Sequence, residues 1–173
     1  MKYVAGMIAG SRAKADGANR VGGLATFPIP DELLLFNAYA LGVAETCPDC
    51  EVDIRWIFTW HDPIVEREGA DSLFDAGSHV VMTGADTPAS ALAAADREGV
   101  YGITYDWIGS CTIDECLTAP YWVWGPEFVR IIEEVQAAVQ CWPEFAAAAR
   151  LGDERLFEVL GIHNDIGRRS VAA

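Results

Sequence analysis

Short β-type runs alternate with helical runs along the first two thirds of this 173-residue chain, and that alternation is its strongest constraint. The β-type runs cover residues 19–27, 51–58, 78–85 and 100–106. The helical runs between them cover residues 31–46, 63–77 and 89–99. Strands that alternate with helices of about 10 to 15 residues predict right-handed crossovers and a parallel sheet covered on both faces. The predicted fold class is therefore α/β, a single doubly wound, Rossmann-like parallel-sheet lobe.

Two dipeptides mark helix starts in this pattern. Asp-Pro at residues 62–63 and Thr-Pro at residues 87–88 each place an N-cap residue before a proline, which fits the first helical position. The N-terminal stretch "YVAGMIAG" predicts another helix, whose small residues indicate close packing on a neighbour; these are Ala5, Gly6, Ala9 and Gly10.

The N-terminal stretch is short for a secretory segment. No apolar run of the sequence approaches the roughly 18 residues that a bilayer requires. We therefore expect no signal peptide in this chain, and a cytoplasmic location if it is expressed as it stands.

The alternation stops after the fourth strand, and no further strand is predicted. Residues 117–126 are aromatic and predicted to be extended, residues 127–140 have helical periodicity, and residues 143–173 indicate one or two helices with a basic tail. The predicted division is a βαβ lobe over residues 1–114 and a crossover segment with a helical C-terminal tail over residues 115–173. We expect the second part to pack on the lobe or on a partner copy.

The acidic balance of the chain excludes one class of partner. Twelve basic residues against 26 acidic ones give a formal net charge of −14. That charge repels phosphate backbones and anionic lipid headgroups, so nucleic acid is not expected as a partner.

Four of the five cysteines form two closely spaced pairs, Cys47 with Cys50 and Cys111 with Cys116. The first pair precedes the second strand, at the amino-terminal edge of the predicted sheet, whereas the second pair follows the fourth strand. A strand of about six residues separates those edges by roughly 20 Å, so one zinc ion cannot bind all four thiolates. Both pairs are disulfide candidates; reduced thiols and a redox-active CxxC motif remain open alternatives.

No catalytic motif is complete in this sequence. The histidines, His61, His79 and His163, stand singly, and no nucleophile elbow, phosphate-binding loop or dinucleotide fingerprint follows a strand. We therefore expect no metal, no cofactor and no enzymatic activity. A catalytic alternative would pair His61, as general base, with Asp86 or Asp106.

Aromatic and acidic residues follow the predicted strands. Ligands of parallel α/β sheets bind beyond the carboxyl ends of the strands, so we expect these residues to meet at one edge. Ring stacking with one or two carboxylate acceptors suits a flat heterocycle that carries N–H or hydroxyl donors. The candidate ligand-binding residues are Phe27, Trp60, Asp86, Asp106, Trp107, Trp122 and Trp124. Each also has a structural alternative, since aspartates cap turns and tryptophans at strand ends pack in cores.

The order of motifs from residue 3 to residue 135 resembles the basic membrane protein family, the substrate-binding lipoproteins of ABC importers that include purine nucleoside receptors. The resemblance is carried by "FPIPDELLLFNAYALG", "WIFTWHDPIVERE", "DAGSHVVMTGADTPA", "EGVYGITYD" and "LTAPYWVWGPEFV". It implies the second lobe of a type I periplasmic-binding fold, with the first lobe missing from this chain. The family's turn tryptophan maps to Trp60, its post-strand aspartates to Asp86 and Asp106, and its late tryptophans to Trp122 and Trp124.

The resemblance also implies a function. We expect a non-catalytic solute-binding domain of an ABC importer that takes a purine base, a nucleoside or a similar aromatic heterocycle. The implied partner is an ABC permease, and the implied location is periplasmic or extracellular and membrane-associated. The chain departs from the family at positions that are commonly polar in its members; these are Ile57, Phe58, Gly84, Ile108 and Val123.

A second hypothesis is a truncated, regulatory or self-associating module that keeps the lobe as a scaffold. Trp122, Trp124 and the helix from Glu127 would then supply an apolar surface through which copies of the chain associate.

Overall fold

The computed structural model describes residues 1–149. Its helices are α1 (Lys2–Ala15), α2 (Pro30–Thr46), α3 (Pro63–Asp75), α4 (Ala89–Ala95), α5 (Trp124–Gln140) and α6 (Trp142–Ala148). Its strands are β1 (Arg20–Ala25), β2 (Glu51–Trp56), β3 (Val80–Thr83), β4 (Tyr101–Ile103) and β5 (Cys116–Thr118). The predicted basic tail falls outside the described residues.

The strands form one parallel sheet in the order β2-β1-β3-β4-β5. This confirms the predicted α/β class and parallel pairing. The expectation that no strand follows the fourth was wrong, because β5 pairs with β4 and sets Cys116 opposite Gly102. A three-residue strand with a single aliphatic residue, Leu117, has too little alternation to be recognised from its sequence.

Helices cover both faces of the sheet, and alternate residues of β1 point to opposite faces. Val21 and Ala25 pack in the core shared with α1 and α2, whereas Leu24 packs in the core shared with α3 and α4. The largest side chains of the first core are Phe36 and Tyr39, both from α2. The sheet is therefore buried on both sides, as the apolar runs of its central strands predict.

Helices α1 and α2 contact each other through their backbones. A methyl group built on Gly42 would lie 1.9 Å from the carbonyl oxygen of Tyr3, and one built on Gly6 would lie 2.0 Å from that of Tyr39. Both distances are far shorter than any real carbon–oxygen contact, so only glycine fits at either position. The predicted close packing of the first helix is confirmed, and α2 is the neighbour.

The two predicted helix starts have different outcomes. Asp62 caps α3 as predicted, and its carboxylate accepts hydrogen bonds from the backbone N–H groups of Ile64 at 3.0 Å and Val65 at 3.2 Å. Thr87 does not cap α4, because the N-cap residue is Pro88 and the Thr87 hydroxyl donates to Glu66 instead. A nearby buried carboxylate therefore takes the side chain that the local pattern assigns to the cap.

The chain contacts divide the molecule into two compact units, one of residues Met1–Trp122 and one that begins at Val123. The first unit contains the whole sheet with α1 to α4. In the second unit, the described residues form α5 and α6, and no residue of α5 is buried.

The glycine contact between α1 and α2 gives the first prediction. Gly42→Ala should lower the free energy of unfolding by about 3 kcal/mol or more, because the helices must separate to accept the methyl group. Gly125→Ala is the matched control, since Gly125 also lies in a helix but its added methyl group would meet no neighbouring atom of the described chain within 4 Å. Urea denaturation monitored by circular dichroism measures both variants. Equal midpoints for Gly42→Ala and the wild type would contradict the contact.

Candidate ligand-binding site

The loops that follow β1 to β4 come together at one edge of the sheet. Because all four strands are parallel, their carboxyl ends lie side by side there. The loops contain four of the predicted ligand-binding residues directly after a strand; these are Phe27, Trp60, Asp86 and Asp106. The structure therefore places them on the same side of the sheet, as the strand pattern predicts.

An aromatic cluster stands at the ends of β1 and β2. The ring centroid of Phe27 lies 5.2 Å from that of Trp60 and 6.2 Å from that of Phe58. Trp60 is 50% exposed and Phe58 is 64% exposed. Phe58 also has a backbone φ of 55°, which non-glycine residues rarely adopt. The cluster thus presents apolar rings to solvent from a constrained turn, which is unusual for side chains that only fill a core.

A buried carboxylate joins the turn of Trp60 to the turn of Asp86. Glu66 is fully buried, and it accepts hydrogen bonds from the backbone N–H groups of Asp62 and Thr87, each at 3.0 Å, and from the Thr87 hydroxyl. The two turns also meet directly, since the Asp86 N–H donates to the carbonyl of Trp60 at 3.3 Å. These bonds hold the aromatic cluster next to the acidic loop.

The carboxylates of Asp86 and Asp106 both belong to residues that line an open cavity of about 360 Å³. Its other walls are apolar or carry hydroxyl groups, and they are formed by Pro88, Ala91, Leu92, Tyr105, Trp107, Gly109, Ser110, Thr112 and Ile113. Such a cavity can accept hydrogen bonds from N–H or O–H donors while it covers the apolar face of a ligand. Trp107 therefore lines the same cavity as the two aspartates.

The backbone at Asp106 is fixed in an uncommon conformation. Its φ is 68°, its N–H donates to the carbonyl of Pro120 at 2.9 Å, and it forms an isolated parallel bridge with Tyr121. The indole N–H of Trp122 donates to the Tyr105 hydroxyl at 3.0 Å. Trp122 thus supports the turn that presents Asp106. Non-glycine residues with positive φ are concentrated at functional sites.

Trp124 begins α5 and belongs to the second unit. Within that unit its ring stacks on Phe128, with 5.8 Å between the ring centroids and an interplanar angle of 19°. A contact of Trp124 with a ligand remains a prediction.

Lys2 places an ammonium group in the interior near this edge. Its side chain is 2% exposed, and its Nζ lies 3.6 Å from the centroid of the Tyr105 ring. Burial lowers the pKa of Lys2 to about 7, and the charges of Glu32 and Asp106 partly oppose this effect. Burial also raises the pKa of Tyr105. The turn of Asp106 therefore faces a lysine whose charge changes near neutral pH.

Both predicted cysteine pairs are joined as disulfides, Cys47 to Cys50 and Cys111 to Cys116. The second pair was expected at the carboxyl edge of the sheet, but Cys116 lies within β5. The two pairs are instead separated across the width of the sheet. Cys50 precedes β2, Cys116 lies in β5, and β2 and β5 are the two outermost strands. Five strands spaced about 4.8 Å apart keep them roughly 19 Å from each other.

The structure gives His61 and His79 no common site. His61 is exposed, and its Nδ1 lies 4.0 Å from Glu66, while His79 contacts Asp16 at 2.7 Å. His163 lies outside the described residues. Within residues 1–149, no cluster of three or more His, Cys, Asp or Glu side chains could hold a metal ion. None of the helices in that range combines the length and apolar character that a membrane span requires.

Sequence reasoning missed several residues of this edge, namely Lys2, Glu32, Glu66 and Tyr105. Glu66 had only a partial signal: it is an acid in the first turn after an N-cap aspartate, but it lies four residues after the cap, whereas a capping box has the acid three residues after it. Lys2 had none, because a lysine side chain is ordinarily solvated.

Comparison with known proteins then decides the family. The family model described as ABC transporter substrate-binding protein, PnrA-like, matches residues 1–118. The chain belongs to this family. Its members are solute-binding proteins of ABC transporters, located in the periplasm or outside the cell.

Two curated relatives of this PnrA-like chain are named for different ligands. A putative ABC transporter glucose-binding protein of Haloferax volcanii is 32% identical over 158 residues, which are 88% of this chain and 39% of the relative. A purine-binding protein of Brucella abortus is 32% identical over 130 residues, which are 74% of this chain and 36% of the relative. The chain thus spans less than two fifths of the length of either relative.

Solved structures agree on the fold of the PnrA-like chain. An ABC transporter solute-binding protein of Conexibacter woesei superposes with a TM-score of 0.54 at 24% identity, covering 60% of this chain and 33% of that one. A solute-binding protein of Aeropyrum pernix gives the same TM-score at 22% identity, with 61% and 32% covered. The predicted periplasmic-binding fold is confirmed.

The link made by Glu66 gives the second prediction. Glu66→Gln should lower the free energy of unfolding by about 2 kcal/mol, because an amide cannot accept all of the bonds that the carboxylate accepts. Glu68→Gln, at an exposed position of the same helix, should change it by less than about 0.5 kcal/mol. Hydrogen exchange adds a local readout, in which the amides of Asp62 and Thr87 should lose protection first. Unchanged exchange at both amides would show that Glu66 does not join the turns.

Proposed function

We propose that this chain supplies one wall of the ligand site in an ABC importer's substrate-binding protein, and that the ligand is a purine base, a nucleoside or a similar aromatic heterocycle. The observation that carries the proposal is the cavity that Asp86 and Asp106 line, together with the Phe27–Trp60 cluster, which does not line the cavity but is bonded to the Asp86 turn. In this role Trp60 stacks on the ligand, and the two carboxylates accept its hydrogen bonds.

The chemistry of the site favours a flat heterocycle over a sugar. Exposed rings at Phe58, Trp60 and Trp107 offer large apolar faces, which a planar base covers more fully than a puckered ring. Two carboxylates suit the N–H groups of a base or the hydroxyls of its ribose. The purine-binding relative from Brucella supports this choice, whereas the putative glucose-binding relative from Haloferax makes sugars the natural comparison ligands.

Residues outside this chain are proposed to supply the rest of the contacts. The curated relatives are more than twice as long as the matched segment, and buried drug-sized ligands lose 70–90% of their surface to a site as a rule. An open cavity on one lobe covers less than that. We therefore propose millimolar affinity at best for the chain alone, and an ABC permease as the recipient of the ligand in a periplasmic or extracellular setting.

Calorimetry with adenosine, guanosine, adenine, hypoxanthine and glucose tests this function. We expect weak binding of at least one purine and none of glucose. Trp60→Ala and Asp106→Asn should each lower the affinity for the purine by about tenfold, because each removes a contact of about 1 to 2 kcal/mol. Asp49→Asn, an exposed acid beyond the other edge of the sheet, is the matched control and should bind as the wild type does.

Two results would count against the proposal. Glucose binding without purine binding would assign the site to sugars. Micromolar purine binding by a proven monomer would show that a single lobe suffices, against the half-site argument.

A second candidate function is self-association through α5. Phe128, Ile131, Ile132 and Val135 recur at helical spacing on this helix, and all four are exposed. Amphipathic helices with such a stripe commonly bury it against a second helix. We propose a second copy of the chain as the occupant.

Light scattering over a range of protein concentrations tests self-association. The wild type should form a dimer that purines do not alter, and Phe128→Glu with Ile132→Glu should leave a monomer, because two charges cannot be buried in an apolar interface. Glu133→Gln and Glu134→Gln, two exposed substitutions on the same helix, are the control and should leave the dimer intact. A monomeric wild type at all concentrations would rule out this candidate.

A further inference from the structure

The burial of Lys2 is unexplained by the fold. Its ammonium has no hydrogen-bond partner among the described residues. Removing a charge from water costs several kcal/mol unless the charge is paired and hydrogen-bonded. The side chain fills space between the rings of Phe36 and Tyr105, at 5.5 Å and 3.6 Å from their centroids. Methionine would fill that space without the charge, so packing alone does not account for a lysine here.

Three groups around Lys2 belong to the proposed ligand edge. Tyr105 offers the face of its ring to the ammonium, an arrangement that attracts a cation. Glu32 from α2 and Asp106 from the loop after β4 attract the same charge. One carboxylate oxygen of Glu32 is itself buried without a hydrogen-bond partner among the described residues. Two buried groups of opposite charge thus each leave a polar atom without a hydrogen bond next to the turn that presents Asp106.

The turn itself has other supports, but none of them acts on the charge of Asp106. The Asp106 N–H is bonded to Pro120, and the Tyr105 hydroxyl accepts from Trp122. These bonds hold the backbone and the ring. The Lys2 Nζ lies against the ring of Tyr105, the residue that precedes Asp106, and its charge attracts the Asp106 carboxylate, so it can influence where that carboxylate lies.

We propose that Lys2 is a positioning residue of the ligand site, whose buried ammonium holds the Tyr105 ring and the Asp106 carboxylate in the arrangement that receives the ligand. The proposal rests on the proposed binding function, and it assigns to α1 a part in ligand recognition. The free energy that the fold loses by burying the Lys2 ammonium is then explained by the role of this group in shaping the ligand site.

Ligand affinity should depend on pH as a consequence. The pKa of Lys2 is lowered to about 7, so the ammonium is charged below that pH and neutral above it. The groups that face it are Glu32, Tyr105 and Asp106. As the pH rises through 7, the attraction to Asp106 is lost and affinity should fall. Stability should change in the opposite sense between pH 7 and 10.5, since the unfolded chain there binds the proton that the folded chain has released.

The chain contains two lysines, Lys2 and Lys14, which makes a direct measurement simple. Selective ¹³C labelling of lysine gives two resonances, of which the one that is absent from Lys2→Met belongs to Lys2 and should titrate near pH 7. The backbone amides of Tyr105 and Asp106 should shift with the Lys2 midpoint. In Lys2→Met that shift should disappear, while Lys14→Met should leave it unchanged.

Calorimetry at pH 6 and pH 8.5 completes the test, with the tightest purine of the panel as probe. At pH 6, Lys2→Met should bind at least tenfold more weakly than the wild type, Lys2→Arg should recover part of the affinity, and Lys14→Met should bind normally. The wild type should weaken several-fold from pH 6 to pH 8.5, and Lys2→Met should not. Lys2→Met with wild-type affinity and the same pH profile overturns the proposal while leaving purine binding intact.

The remaining outcomes are also decisive. If the wild type binds no purine, the proposed function fails, and the amide titration alone judges Lys2: amides of Tyr105 and Asp106 that ignore the Lys2 midpoint overturn its positioning role. If Lys2→Met does not fold, the positioning role of Lys2 is tested by the purine affinity of Lys2→Arg and by the amide titrations of the wild type. A Lys2 resonance that titrates near pH 10 refutes the buried ammonium outright.

Discussion

The pairing of β1 with both β2 and β3 is the constraint on which the rest of the structure depends. Because β1 lies between two strands that come later in the chain, the connection after β2 must cross it to reach β3. Helix α2 therefore packs on one face of the sheet, and α3 and α4 pack on the other. The loops after β1 and β3 leave in opposite directions, and parallel sheets bind ligands in the opening between such loops. Phe27 and Asp86 follow those two strands.

The edge that results from this topology contains several features that lower the stability of the fold. Phe58 and Asp106 adopt positive φ, and Lys2 and Glu32 bury polar atoms without hydrogen bonds to the described residues. Opposing these costs, the Glu66 carboxylate accepts three hydrogen bonds from two separate turns. Strained residues at one end of a fold, next to a well-bonded group, are typical of binding sites. At such sites the geometry serves ligand binding rather than stability.

Sequence periodicity predicted most of the fold and part of the site. The order of the elements, the cap at Asp62 and the close packing of α1 follow from local patterns, and those patterns act within a few residues of each other. The misses at β5 and Thr87 have a different cause. Leu117 lies in a strand too short to alternate, and Thr87 bonds to Glu66, 21 residues away in the chain. Lys2 likewise owes its burial to Tyr105 and Glu32, which no local pattern brings to it.

The glycines between α1 and α2 have a mechanical consequence. With backbone against backbone at Gly6 and Gly42, these helices cannot slide or tilt independently and so move as one rigid pair. Lys2 and Glu32 lie near the N-terminal ends of this pair, one on each helix. A displacement of α1 that carries the backbone of Lys2 therefore carries the backbone of Glu32 with it.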